Sequence, residues 1–157
     1  MTQAQLPERH VVVALVRESA TRDASTFTHG IPGCSPAVRS PEEAVAGASD
    51  YIDAGLKTAI HATKRADAEH PAWRKAATPE TGVAAACWAA AKFHGTSLTV
   101  QTAAPAMLRA LLVNLHGVGE EDAAVAAVVE AEHVLLDACG YDLAGVANDT
   151  SPQHHQQ

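Results

Sequence analysis

A helix-start signal and the amphipathic stretch behind it constrain the fold of this chain more than any other feature. The signal is Ser-Pro-Glu-Glu at residues 40–43. Ser40 can accept a hydrogen bond from a first-turn amide, proline suits the first helical position, and Glu43 can reach back to the cap. Apolar residues then recur at helical spacing until a proline stops the pattern after residue 69. The sequence therefore predicts one long amphipathic helix over residues 40–69.

Three more helices are predicted nearer the C-terminus, and each is followed by a glycine. Glycine suits the residue after a helix because it lacks the β-carbon that resists left-handed backbone. The expected ranges are 79–94, 105–116 and 120–139. The last two are joined by a short link, so we expect them to form an antiparallel hairpin.

The apolar run at residues 10–17 is ambiguous between a strand and a helix. Its valines favour a strand, but a run this short shows no decisive periodicity. A helix is slightly favoured, because residues 97–101 form the one other plausible strand and two strands make a weak sheet. We therefore predict a mainly α fold, a bundle of four to five helices, with one short N-terminal strand as the alternative at residues 10–17.

The chain of 157 residues is expected to form a single helical domain over residues 1–157. Residues 19–39 are polar and interrupted by glycines and prolines, so we expect a long loop there. Residues 142–157 are expected to form a frayed tail. Cys34 lies in the loop, where flanking glycine and prolines could hold its thiol in a rigid turn as a nucleophile or redox sensor. The alternative is a loop cysteine without a role.

The composition argues against several classes of function. The net charge is −7 and lysines and arginines are not clustered, so nucleic-acid binding is not expected. No apolar stretch is long enough for a membrane span, and the first residues do not resemble a signal peptide. Three widely spaced cysteines fit reduced thiols, so we expect a cytoplasmic protein. The sequence contains no Walker loop, Gly-x-Gly-x-x-Gly or His-Glu-x-x-His motif, so no cofactor is expected.

Glu132 is the most conspicuous charged residue. In a helical projection of residues 120–139 it falls among valines and leucines on the apolar face. An unpaired carboxylate there would be strongly destabilising, so something should compensate it. Arg109 is the predicted partner, because the hairpin brings it to a similar level. The alternatives are that Glu132 reaches solvent or a dimer interface, or that it is a functional carboxylate that binds a metal or transfers a proton.

Histidines supply further candidates. Glu130 and His133 have the Glu-x-x-His spacing of di-iron bundle proteins, but no second copy is present, so a solvated pair is favoured and no metal site is expected. His94 lies one residue before Gly95, where a histidine can cap the end of a helix. The alternative for His94 is a buried ligand or base.

Taken together, the sequence favours a small acidic interaction or regulatory module. Self-association is one form of this hypothesis, with a protein partner or a second copy as the binding partner. The surface expected for it is the apolar stripe of residues 45–60, in which Gly47 and Gly55 would let another helix approach closely.

The alternative function is a helical-bundle enzyme or a protein that binds a ligand or metal. Its pocket would lie around Glu132, Arg109 and His94. Arg109 and Glu132 would bind the ligand, and Glu132, His94 or Cys34 would be the catalytic candidates.

Overall fold

The computed structural model of this chain describes residues 6–27, 40–69, 73 and 78–144. Within these ranges the protein has six helices and no strand, which confirms the mainly α class and slightly exceeds the predicted count of four to five. No helix in this part of the chain is long and apolar enough to cross a membrane. The helices are α1 (Arg9–Phe27), α2 (Pro41–Gly47), α3 (Ser49–Glu69), α4 (Pro79–His94), α5 (Val100–Ala110) and α6 (Gly117–Ala138).

Helix α1 contains the ambiguous valine run. The strand alternative at residues 10–17 is therefore wrong, because Val11, Val12 and Leu15 share one helix face and are buried in the core. Burial of that face outweighs the β preference of valine. The predicted loop at residues 19–39 is also wrong as far as Phe27, where α1 ends. Its remaining part, residues 28–39, lies outside the described residues.

The helix-start signal has the predicted geometry. The amide of Glu43 donates to Ser40 Oγ at 3.1 Å, and the Ser40 amide donates to Glu43 Oε1 at 3.3 Å. The single helix predicted behind it is nevertheless two helices, because α2 ends at Gly47 and α3 begins at Ser49. The break falls beside an exposed glycine, which has a low helix propensity and no side chain to bury.

Helix α4 is the central helix of the bundle. Every residue from Gly82 to Ala91 is buried, because α4 contacts α3, α5 and α6. Its alanines occupy little space and let the neighbouring helices come close. A β-carbon on Gly82 would lie 3.3 Å from Cζ2 of the buried Trp73, so this glycine makes room for the indole ring.

The predicted third helix is displaced along the chain. We expected residues 105–116, whereas α5 spans Val100–Ala110 and contains Pro105 in its interior. The signal that misled the prediction is Pro105, which is buried against other helices instead of starting a helix. Gly117 has φ +88 and is the first residue of α6, not a terminator of the helix before it. The end of α6 is close to the prediction, with Gly140 at φ +67 just beyond it.

The stripe that we expected to be free for self-association is covered within the chain. A β-carbon on Gly55 would lie 3.6 Å from Val12 Cγ1 of α1, and Ile52 and Ala59 of the same stripe are fully buried. This part of α3 therefore packs against the chain's own helices. A surface for another protein has to be sought elsewhere.

Candidate functional site

An open groove runs between α1 and α5, with a volume of about 810 Å³. Its floor is apolar and is made by residues that are buried or half-buried: Val13, Ala14, Pro105, Ala106 and Ala110. Thr21, Gln101 and Thr102 add hydroxyl and amide groups to the lining. An apolar floor with polar edges is the usual character of a binding groove.

The two helices are held together at one end of the groove. The ring of His10 donates from Nε2 to the carbonyl of Ala110, at 3.1 Å, which joins the start of α1 to the end of α5. The opposite end lies near Ser19, whose Oγ is 3.5 Å from Oγ of Ser97. These two contacts show that α1 and α5 run in opposite directions along the groove.

Three arginines and one histidine line the groove, in a chain whose net charge is −7. Arg9 forms an ion pair with Asp53, and Arg109 forms one with Glu121, which also lines the groove. Arg17 is exposed and has no ion-pair partner among the described side chains. Among the described residues the groove therefore offers one positive charge without an ion-pair partner, beside an apolar floor.

The predicted pair of Arg109 with Glu132 is wrong. Arg109 contacts Glu121, eleven residues before Glu132 in the same helix, which places the two acids about 16 Å apart along the helix axis. Glu132 instead lies against α4, where Lys92 Nζ is 2.7 Å from its Oε2. The hairpin register assumed from the sequence was wrong because α5 ends at Ala110 and not at residue 116, which places Arg109 next to the turn and opposite the start of α6.

Glu132 is buried, as its position among valines and leucines indicated, and the group that compensates it is Lys92 and not Arg109. Only 4% of Glu132 is exposed, whereas the side chain of Lys92 is 47% exposed. Oε2 has no partner in hydrogen-bond geometry among the described atoms, so the contact with Lys92 is ionic. The same ammonium lies 5.6 Å from the ring centroid of Trp88, within the range of a cation–π contact.

The other candidates are not brought to Glu132 or to the groove. His94 is half-buried, with Nε2 2.8 Å from Thr58 Oγ1, so the ring joins α4 to α3. Glu130 and His133 are exposed. In the described ranges no three His, Cys, Asp or Glu side chains form a group that could hold a metal ion.

The three cysteines differ in what the structure says of them. Cys34 lies outside the described residues. Cys87 and Cys139 are buried, as expected for small core residues, and Cys139 Sγ lies 3.8 Å from the carbonyl oxygen of Ala62. Burial raises the pKa of the Cys87 thiol from 9.0 to about 12, so this group stays protonated near neutral pH.

The end of α5 next to the groove carries an exposed leucine in a strained conformation. Leu112, two residues beyond Ala110, has φ +66 and is 89% exposed. Its amide donates to the Arg109 carbonyl and the next amide, that of Val113, donates to the Leu108 carbonyl, both at 2.9 Å. This is the Schellman pattern of helix termination, which normally has glycine at the left-handed position.

Sequence reasoning did not find the groove, although a signal for it exists. Arg9, Val13 and Arg17 are four residues apart and therefore share one face of a helix. Gln101, Pro105 and Arg109 have the same spacing on α5. The signal becomes visible only when residues 9–21 and 101–110 are both assigned to helices.

Comparison with known proteins found no matching family model, no matching curated protein and no matching solved structure. A function for this chain therefore has to be inferred from its own residues.

Proposed function

We propose that this chain is a protein-interaction module that holds an acidic, partly apolar segment in the α1/α5 groove. The observation that carries the proposal is the uncompensated charge of Arg17 beside the apolar floor of Val13 and Pro105. An apolar floor gives affinity by removing apolar surface from water. An exposed arginine at the edge selects the sign of the partner's charge and guides its approach.

A protein segment fits the groove better than a nucleic acid does. Phosphate backbones are bound by several clustered cations, whereas two of the three groove arginines already contact acids and Glu18 and Glu121 belong to the lining. Alanine and proline on the floor offer no flat ring for a base to stack on. A helix or extended segment with small apolar side chains and one or two acids matches both floor and edge.

A cytoplasmic location is part of the same proposal. The buried thiols of Cys87 and Cys139 lie in the core without a disulfide, which suits a reducing compartment. The partner would then be a protein of that compartment.

A pair of labelled peptides tests the proposed function. One is an amphipathic helical peptide with an alanine- and leucine-rich face and glutamates at its edge, and the other has lysine in place of each glutamate. Fluorescence anisotropy should show binding of the acidic peptide and little binding of the basic one. Arg17→Glu should weaken binding of the acidic peptide about tenfold, because reversing an edge charge replaces an attraction with a repulsion.

Lys64→Glu provides the matched control. Lys64 is exposed on α3, is not part of the groove, and its reversal changes the net charge by the same amount. This variant should bind the acidic peptide within about a factor of two of the original protein. Equal losses in both variants, no binding of the acidic peptide, or displacement of it by single-stranded RNA would each overturn the proposal.

A further inference from the structure

Two apolar side chains are exposed to solvent beside the groove, one in the linker between α5 and α6 and one in the first turn of α6. Leu112 is 89% exposed and Val118 is 72% exposed. Leu112 and Val118 are six residues apart in the chain, and apolar surface that stays in contact with water beside a groove is characteristic of interaction sites. The linker is continuous with the groove, because Ala110 before it and Glu121 after it both line the groove.

The backbone at Leu112 supports a role for its side chain. α6 ends in the same hydrogen-bond pattern, in which the Gly140 amide donates to the Asp137 carbonyl at 3.1 Å and the Tyr141 amide to the Leu136 carbonyl at 2.7 Å. There the residue at the equivalent position is glycine, with φ +67, and Tyr141 after it also has a positive φ, +58. At the end of α5 a leucine occupies the equivalent position, although left-handed backbone is unfavourable for residues with a β-carbon. Strain that holds an apolar side chain out in water suggests a function for that side chain.

The N-terminal part of α6 supplies an acid of the kind that the groove selects. Glu120 accepts a hydrogen bond from the His116 amide at 2.8 Å, and Glu121 is paired with Arg109. Asp122 is exposed and has no partner among the described residues. The linker and the N-terminal part of α6 therefore offer an exposed leucine side chain and an acid that has no partner among the described residues. These two features complement the groove floor and Arg17.

We propose that the occupant of the groove is a second copy of this chain. In a two-fold dimer Leu112 of each copy packs on the groove floor of the other, and Asp122 of each pairs with Arg17 of the other. A two-fold dimer needs a self-complementary surface. The exposed Leu112 side chain next to the groove of the same chain provides such a surface. This inference rests on the proposed function, since it names the partner for the same groove.

Sedimentation equilibrium at physiological salt tests the dimer directly. The original protein should change from monomer to dimer as its concentration rises. Arg17→Glu and Asp122→Arg should each weaken dimerisation about tenfold, and the double variant should recover to within about threefold, because the swap restores the pair. Leu112→Gly should weaken it between about ten- and a hundredfold, since an apolar side chain leaves the interface. Circular dichroism checks that each variant is folded, and Lys64→Glu should dimerise like the original protein.

The outcomes separate this inference from the proposed function. A monomer at all concentrations, or a charge swap that fails to recover dimerisation, overturns the dimer. If that monomer still binds the acidic peptide through Arg17, the groove serves a foreign partner and only the second-copy inference fails. If the monomer binds neither its own copy nor the peptide, both proposals fail.

Discussion

The α4/α6 contact and the α1/α5 contact both join two helices of the bundle but differ in how their charged side chains are compensated. Between α4 and α6 the carboxylate of Glu132 is buried and meets Lys92 of the same chain. Between α1 and α5 the helices leave a groove, and Arg17 stays without a partner among the described side chains. Charge that is compensated within the chain stabilises its fold. Charge that is left uncompensated beside apolar surface is available to another molecule.

The largest effect expected from this comparison comes from Lys92. Lys92→Met should lower the free energy of unfolding by about 3 kcal/mol, because it leaves the carboxylate of Glu132 buried without a cation. Urea denaturation followed by circular dichroism measures the loss. The corresponding change in the groove, Arg17→Glu, reverses an exposed charge and should change stability by less than about 0.5 kcal/mol.

A substitution of the other partner of the ion pair controls for lost packing. Glu132→Met fills a similar volume without a charge, and Lys92 can then turn to solvent, so the loss should stay below about 1 kcal/mol. When Lys92→Met is added to Glu132→Met, the free energy of unfolding should fall by almost nothing more. Equal losses from the two single substitutions would contradict the account of a buried acid that depends on its cation.

The second effect is a dependence of stability on pH. It is expected from a buried thiol on α4 and not from the exposed α1/α5 groove. Cys87 lies on α4, and burial raises the pKa of its thiol from 9.0 to about 12. Above pH 9 the unfolded chain loses this proton first, so stability that is fully present below pH 9 should fall as the pH rises toward 12. The slope from this group is about 1 kcal/mol for each pH unit.

Cys87→Ala identifies the share of the loss that belongs to this thiol. Stability measured by urea denaturation from pH 8 to about pH 11 should fall less steeply in the variant than in the original protein. Arg17→Glu leaves the thiol in place and should retain the original slope. Parallel curves for the original protein and Cys87→Ala would show that water reaches the thiol in the folded state.

Features within one helix could be predicted from the sequence better than contacts between helices. The capping geometry of Ser40 and Glu43 and the burial of Glu132 each follow from spacing along one helix. The partner of Glu132 depends on the register between two helices, and the position of Pro105 gave the wrong start for α5. Leu112 had no signal at all, because sequence patterns associate the left-handed residue of a helix end with glycine.

The smallest expected effect is an increase in the free energy of unfolding, and it concerns the C-terminal ends of α5 and α6. Leu112→Gly should raise the free energy of unfolding by about 1 kcal/mol, because glycine relieves the left-handed backbone and an 89% exposed side chain gives up little packing. The measurement must be made at a concentration where the chain is monomeric, since dimerisation stabilises the folded state by mass action. The same variant is expected to dimerise less well.

Gly140→Leu is the mirror experiment at the end of α6. It places a leucine at φ +67, where a β-carbon would meet no other atom within 4 Å, so the change is a test of backbone strain alone. We expect a loss of about 1 kcal/mol, equal and opposite to the gain at Leu112. If Leu112→Gly is neutral or destabilising while Gly140→Leu is destabilising, the leucine contributes to the stability of its own chain. A gain in stability together with a loss of dimerisation would show that Leu112 is retained for contact with another molecule, at the expense of the fold.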